Sequence, residues 1–284
     1  MTLLAALLFH TTKMNPSKQR SKKVDKKLPT GKNLDKPIAL TAKQFIETLN
    51  AHQSAEALKK NPRFFRDDTN PNPKFLGVRM KTIFDTAKTF AGLPLKEIEK
   101  LLESPYYEVR MGGVSIMDIK ARNKRISDLE RKELFDLYIN RHDRIDNWDM
   151  VDRSAPHVVG GYLYDKPRDL LYKLAKSKNV WERRTAIVST YFFIKNGEVA
   201  DTFGIANLLI DDQHDLIQKA VGSWIRHAGG IDKKQLKSFL DKYAHTMPRT
   251  MLSYAIEKLS KKEKDFYLEM NGKQGAKSNR KMAM

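Results

Sequence analysis

A tryptophan and an aspartate in the stretch Asn147–Asp152 are the strongest candidates for catalytic or substrate-binding residues in this chain. Trp148 and Asp152 stand four residues apart, so a helix would place them on one face, one turn from each other. An indole face and a carboxylate both attract positive charge, which suits a cationic or cation-forming substrate. Two structural alternatives remain open, since a helical tryptophan is commonly core and an aspartate shortly before Pro156 is commonly a cap or turn residue.

The charge of the chain indicates a polyanionic partner. Lys and Arg total 53 against 34 acidic residues, which gives a formal net charge of +19. The segment 13–36 carries nine basic and two acidic residues, and the last fourteen residues carry four basic residues and no acidic ones. The remaining excess lies on the body of the chain, so the basic character is not confined to the ends. Such a balance predicts nucleic-acid binding.

Cysteine usage and hydropathy place the protein inside the cell. The absence of cysteine excludes a disulfide scaffold, a thiolate metal site and a cysteine nucleophile. The apolar residues within 1–10 lack a charged leader and are too short to span a bilayer, so we read them as an extension. We predict a cytoplasmic, nucleoid-associated or nuclear protein that is neither secreted nor membrane-bound.

Apolar residues recur with helical periodicity from residue 41 onward, and no alternating strand pattern is convincing. Helices are predicted over 41–51, 56–61, 80–90, 95–102, 110–123, 127–141, 167–177, 181–196, 206–209, 216–228, 233–244 and 250–259. Thr41 and Gln44 have the spacing of a capping box. The sequence therefore predicts an all-α domain over 37–270, between a disordered basic extension (1–36) and a disordered basic tail (271–284).

A weak repeat runs through the helices. Arg110, Arg184, Lys219 and Arg249 each begin an apolar helix and precede a serine by four or five residues. Their spacings of 74, 35 and 30 residues fit a two-helix unit that stacks into a superhelix. The spacing of 74 residues is twice 37, so a further repeat is expected to begin near residue 147. The pair Trp148 and Asp152 occupies that position and breaks the repeat pattern, which favours a functional site there.

Basic residues at successive helix starts would form a groove for phosphates, because the helix dipole, free amides and side chains all favour anions. The alternative is that these residues cap helices or form ion pairs with neighbouring repeats. The cations predicted to contact DNA are Arg79, Arg110, Arg184, Lys195, Lys219 and Arg226.

The sequence excludes several other kinds of site. No His-x-x-x-His or HExxH spacing predicts a metal site, and no Gly-rich phosphate loop or Gly-x-Ser-x-Gly elbow occurs. We therefore predict no cofactor and no metal. A reaction that needs only a carboxylate, aromatics and cations is the loss of an alkylated purine from DNA, since the cationic base leaves neutral and only an oxocarbenium-like sugar and a water need stabilising.

Three segments together resemble the DNA alkylation repair family, the HEAT-like-repeat DNA glycosylases of AlkD type. They are Trp148-Asp149-x-Val151-Asp152, Trp181-x-x-Arg184-x-Ala186-Ile187 and Ile217-Gln218-Lys219-Ala220-Val221-Gly222, and the resemblance covers about residues 45–260. It implies a curved superhelix of HEAT-like repeats that excises 3-methyladenine- and 7-methylguanine-type purines from duplex DNA in base excision repair, without base flipping.

Carried over by position, the resemblance implies that Asp152 is the catalytic carboxylate, Trp148 the aromatic beside it and Arg184 the residue that holds the DNA backbone. The second catalytic-site tryptophan of the family falls at Ser223, while Trp224 comes one residue later as a possible lesion-side aromatic. One residue on a helix is a rotation of about 100°, so Trp224 is expected to point elsewhere.

Two functions follow from these observations. The first is a monomeric DNA glycosylase for alkylated purines. The alternative is a non-catalytic HEAT-repeat protein that binds distorted or branched DNA. The intact pair Trp148 and Asp152 favours the glycosylase, and Ser223 favours the binding module.

Overall fold

The regular structure is helical throughout the described chain. The computed structural model describes residues 40–64 and 73–282, so the predicted extension 1–36 lies outside it. Within these ranges the only strand-like pairing is the isolated bridge between Lys74 and Tyr106, and the predicted all-α class is confirmed. The α-helices are α1 (Ala42–Asn50), α2 (Ala55–Lys60), α3 (Met80–Thr89), α4 (Leu95–Leu102), α5 (Tyr107–Ala121), α6 (Asp128–Asn140), α7 (Trp148–Ala155), α8 (Gly161–Leu163), α9 (Asp169–Leu174), α10 (Val180–Lys195), α11 (Ala200–Leu208), α12 (Asp215–Ile231), α13 (Lys233–Tyr243), α14 (Arg249–Ala255) and α15 (Lys261–Met282).

From α3 onward the helices pack in two rows. Helices α3, α5, α7, α10, α12 and α14 each contact the next and form a central row. Helices α4, α6, α9, α11 and α13 alternate with them along the chain, and each contacts a helix of this row. Helices that alternate between two rows, each pair packed on the one before, form a helical repeat solenoid, as the repeat predicted.

Local signals account for where the helices begin. Thr41 and Gln44 form the predicted capping box at the start of α1, with each side chain bonded to the other residue's backbone N–H. Ser127 and Glu130 do the same at α6. Each box satisfies two backbone donors that the first turn of a helix leaves free.

Small residues allow the helices of the central row to approach closely. A Cβ atom on Gly160 would lie 2.2 Å from the Ser189 carbonyl oxygen, and one on Gly222 would lie 2.4 Å from that of Met251. Two serines of the repeat are packing residues as well. The hydroxyls of Ser115 and Ser189 are buried and donate to the carbonyl four residues earlier in their own helices.

The chain departs from the sequence prediction at several helices: α7 and α8 are absent from the predicted series, and α11 and α15 are longer than predicted. Helix α15 continues to Met282 and includes most of 271–284, which was predicted to be a disordered tail. Its lysines, glutamates and methionines are good helix formers, but its weak apolar periodicity hid the helix. Helix α11 begins at Ala200, whereas only 206–209 was predicted, because Asp201, Thr202 and Gly204 interrupt the apolar pattern. No helix of the described residues is long and apolar enough to cross a membrane.

Candidate active site and DNA interface

Helix α7 carries the pair of residues that the sequence singled out. The helix begins at Trp148, with Asn147 as its N-cap residue, and Pro156 follows its last residue. Proline has no N–H to donate to the carbonyl of Asp152, four residues earlier, and the chain widens into a π-helical turn from Pro156 to Gly160. Asp152 therefore lies inside the helix and caps neither end. Trp148 is half-buried against the edge of the core, one turn away.

Asp152 and Arg184 form a buried, bidentate ion pair between α7 and α10. The Nε and Nη2 atoms of Arg184 donate to the two carboxylate oxygens at 2.9 and 2.8 Å. Its Nη1 donates to the Leu216 carbonyl on α12 at 2.6 Å. Asp152 is 2 % exposed and Arg184 is 0 % exposed. The structure thus brings together the two residues predicted to serve the reaction and the DNA backbone, but as partners of each other.

Burial and the ion pair act in opposite directions on the pKa of Asp152, which lies above its usual value. Burial raises the pKa of Asp152, because a carboxylate is poorly solvated away from water, and the Arg184 guanidinium opposes the rise. A bidentate arginine is the partner that best holds a buried carboxylate in its ionised form. An ionised Asp152 is what stabilisation of a cationic transition state requires.

Two further polar contacts fix the start of α7 against α5. The Tyr107 hydroxyl and the Asn147 side-chain amide both donate to the buried carboxyl of Asp149. One turn further along α5, Arg110 makes two hydrogen bonds to Asp146, at 2.8 and 2.9 Å. These contacts orient the first turn of α7, which carries Trp148. Asp149 is part of the motif around Trp148 and Asp152, but no sequence pattern predicts its hydrogen bond with Tyr107, which lies 42 residues away.

We predict a pH-dependent stability effect at Asp149. Burial raises its pKa to about 7, despite the Tyr107 hydrogen bond, so the folded protein holds this proton more tightly than the unfolded chain does. The stabilisation from this proton is complete below about pH 4 and is lost as the pH rises through 7. Asp149→Asn removes the titration. Its stability relative to wild type should therefore improve by up to about 4 kcal/mol between pH 4 and pH 8. Denaturant unfolding at several pH values measures this, and a difference that does not change with pH would contradict the prediction.

The other cations predicted to contact DNA are mostly bound to protein groups. Arg110 is buried and also donates to the carbonyls of Ser104 and Pro105. Lys219 forms an ion pair with Asp215 on its own helix at 2.6 Å. Arg110 and Arg184 thus show the alternative that the sequence left open, ion pairs between neighbouring repeats.

The remaining three lie nearer the surface. Arg79 forms an exposed ion pair with Glu56 at 2.7 Å, whereas the Arg226 side chain is only 13 % exposed where it pairs with Glu257. Lys195 is exposed at the end of α10, with its ammonium 6.0 Å from the centre of the Tyr191 ring. Exposed ion pairs are weak, so Arg79 and Lys195 remain available to a polyanion.

The two other tryptophans are packing residues. Trp224 is 1 % exposed, donates its indole N–H to the Val188 carbonyl at 3.0 Å and packs against Tyr191. Ser223 is buried, and its hydroxyl has no hydrogen-bond partner among the described residues. Trp181 is buried beside His214. The indole of Trp224 thus fills the interface between α10 and α12, while the position beside it carries only a hydroxyl.

A metal site is not found in the part of the chain that the structure describes: no three His, Asp or Glu residues there are grouped so that they could hold an ion. What the site offers is a half-buried indole, a buried carboxylate and an arginine bound to that carboxylate.

Comparison with known proteins identifies the family. The family model described as DNA alkylation repair enzyme matches residues 45–259. The chain belongs to the DNA alkylation repair enzyme family. The match confirms the resemblance that the three sequence segments indicated, over nearly the same residues.

The fold agrees with that of a solved structure. A protein from Enterococcus faecalis described as a "predicted DNA alkylation repair enzyme" superposes with a TM-score of 0.57 at 15 % sequence identity, covering 74 % of this chain and 98 % of that one. At this identity the likeness concerns the fold alone. None of the curated proteins matches the chain. Within the DNA alkylation repair family, the chemistry must therefore be argued from this chain's own residues.

Proposed function

We propose that the protein is a DNA glycosylase that removes cationic alkylated purines, of the 3-methyladenine and 7-methylguanine type, from duplex DNA in base excision repair. The observation that carries the proposal is the placement of Trp148 and Asp152 one turn apart on α7 in a member of the DNA alkylation repair family. The large positive charge supplies the attraction to DNA.

The reaction needs little from the protein because the alkylated base already carries a positive charge. It leaves as a neutral molecule, so no general acid is required. The electron-deficient sugar that remains is stabilised by the Asp152 carboxylate, which also orients the attacking water. The Trp148 ring packs against the cationic nucleotide and contributes about 0.5–2 kcal/mol of cation–π attraction. In this proposal the lesion stays in the helix and is not flipped out.

The buried ion pair adds a condition to this mechanism. Both carboxylate oxygens of Asp152 are bound by Arg184 in the DNA-free protein, so a nucleotide reaches them only when the pair opens or shifts. We propose that DNA binding supplies this opening. Arg184 would keep Asp152 ionised until the substrate arrives, and the developing sugar cation would then replace the guanidinium as the partner of the carboxylate.

A non-catalytic DNA-binding protein remains the second candidate. Position 223 carries a hydroxyl instead of an aromatic ring, and the indole of Trp224 is buried between α10 and α12. Duplexes that contain a single 7-methylguanine distinguish the two functions. A glycosylase leaves abasic sites that hot alkali cleaves under conditions mild enough to spare intact 7-methylguanine. A binding module leaves the strand whole and prefers branched over linear DNA.

Duplex binding itself should depend steeply on salt. We expect log K to fall by about 0.9 per phosphate contact for each unit of log salt, because each contact releases a condensed counterion. Fluorescence anisotropy with a labelled, unmodified duplex across a range of salt concentrations measures the slope. Affinity that hardly changes with salt would contradict a phosphate-binding surface. We further propose that the protein acts as a monomer, in the cytoplasm with the nucleoid or in the nucleus.

A further inference from the structure

A second group of charged residues lies at the C-terminal ends of α5 and α7, whereas Arg110 and Arg184 lie near the N-terminal ends of α5 and α10. Asp118 near the end of α5 is fully buried, and three basic side chains surround it. Arg122 donates its Nε to both carboxylate oxygens at 2.8 Å. The Arg153 Nη2 lies 3.4 Å from one oxygen, and the His157 Nδ1 lies 3.2 Å from the other. We call these four residues the Asp118 cluster.

Asp118 acts as an internal anion that arranges the cations around it. Burial alone would raise the pKa of Asp118, but the contacts with His157, Arg153 and Arg122 outweigh burial, and the pKa falls below its usual value. The carboxylate therefore stays charged. With one anion and two arginines the cluster keeps a net positive charge, and its geometry is set before any ligand binds.

The arginines of the cluster retain unused donors. An arginine has five N–H donors, and Arg122 spends only its Nε on Asp118. Its terminal amino groups have no hydrogen-bond partner in the described parts of the chain, and the side chain is 40 % exposed. The Nε of Arg153 is buried and likewise lacks a partner there. Its guanidinium stacks on the Phe84 ring of α3, 4.7 Å from the ring centre.

This supply of donors contrasts with Arg184. Three of its five N–H donors bind Asp152 and Leu216, and the side chain is fully buried, so Arg184 presents no donor to solvent in the DNA-free protein. Helix α7 carries a residue of each group, because Arg153 of the Asp118 cluster directly follows Asp152 in the chain.

We propose that the Asp118 cluster binds a backbone phosphate of the DNA strand beside the candidate active site, with Arg122 and Arg153 as the donors. This assignment rests on the proposed function, since it names the contact that positions DNA at α7. The guanidinium fork matches two phosphate oxygens.

Arg122→Gln tests the proposal, and Arg153 and His157 still face the Asp118 carboxylate in this variant. We expect affinity for an unmodified duplex to fall about tenfold and the salt slope to shrink by about 0.9, the value for one lost phosphate contact. Arg125→Gln is the matched control. Arg125 is an exposed arginine three residues further along the chain, and its variant should bind as wild type does.

A second variant tests whether a loss of DNA affinity in Arg122→Gln results from a disturbed local fold. Arg122→Lys keeps the charge over Asp118 and therefore the local fold, but loses the paired donors. It should bind several-fold more weakly than wild type with a nearly unchanged salt slope. All affinities are referred to the folded fraction measured by circular dichroism. If Arg122→Gln and Arg122→Lys both bind with wild-type affinity and slope, the cluster is not a phosphate site.

The outcome is separable from that of the glycosylase proposal, because binding to unmodified DNA requires no excision. Loss of affinity in Arg122→Gln in a protein that releases no bases would support the phosphate site and remove the glycosylase function. Normal affinity in Arg122→Gln together with active excision would remove the phosphate site alone.

Discussion

Arg184→Ala should lower the free energy of unfolding by about 3–5 kcal/mol, more than the loss of any surface cation. The substitution leaves the Asp152 carboxylate buried without its bidentate partner, and it also removes the donor to the Leu216 carbonyl. An uncompensated charge in the interior is among the most destabilising changes a protein can undergo. Denaturant unfolding followed by circular dichroism measures the loss.

Arg183→Ala provides the matched control, since Arg183 precedes Arg184 on the same helix and pairs with Asp212 nearer the surface. Its loss should be about 1–2 kcal/mol, as for a partly exposed ion pair with additional hydrogen bonds. The double variant Asp152→Leu/Arg184→Met should be more stable than Arg184→Ala, because it buries no charge. Equal losses in Arg183→Ala and Arg184→Ala would contradict the buried ion pair as the main contact between α7 and α10.

Asp152→Asn should slow excision of 7-methylguanine by at least about tenfold per folded molecule, each decade corresponding to 1.36 kcal/mol of lost transition-state stabilisation. The amide keeps the size of the carboxylate but cannot stabilise a sugar cation through charge. Binding to the same duplex should hold or improve, because an anion near the DNA is removed. Single-turnover rates at saturating protein separate this effect from affinity.

Asp149→Asn is the control for Asp152→Asn. It replaces a second buried carboxyl on the same helix, one turn from Asp152, without changing the group proposed to react. Its excision rate should stay within about threefold of wild type, since it alters no interaction that strengthens in the transition state. Asp152→Asn also disturbs the ion pair with Arg184, so rates must be compared at equal folded fraction. An unaltered rate in Asp152→Asn would remove this residue from the mechanism.

The sequence predicted the fold well because its signals are local. Apolar periodicity, capping boxes and short polar connections act over a few residues, and together they indicated all-α repeats. The helix of Asp128–Asn140, for instance, was predicted to within a residue or two at each end. Helix α15 shows the limit of this signal, because good helix formers without a clear apolar face resemble a solvated tail.

The partners of the charged residues could not be predicted in the same way. Arg110 and Arg184 bind carboxylates 36 and 32 residues away, in the connection before α7 and on α7 itself. An arginine at a helix start faces either DNA or the next repeat, depending on how the repeats rotate against each other, and no local pattern records that rotation. Asp118 and Arg122 have the i, i+4 spacing of a helical ion pair, but only the fold adds Arg153 and His157 to them.

Trp224 shows the same difference between what a local sequence pattern predicts and what only the fold determines. The shift from position 223 to 224 indicated that the indole would point away from a site on α7, and the structure places it between α10 and α12. The shift could be seen in the sequence. The hydrogen bond to the Val188 carbonyl, which fixes the indole there, could not.

Release of free bases from alkylated DNA tests the central claim most directly. Methylated genomic DNA is incubated with wild-type protein and with Asp152→Asn, and the bases set free are identified and counted by mass spectrometry. A glycosylase releases 3-methyladenine, 7-methylguanine or both with time, well above the spontaneous rate, and the variant releases at least about tenfold less per folded molecule. If wild-type protein binds this DNA but frees no base above the spontaneous rate, the proposed activity is contradicted.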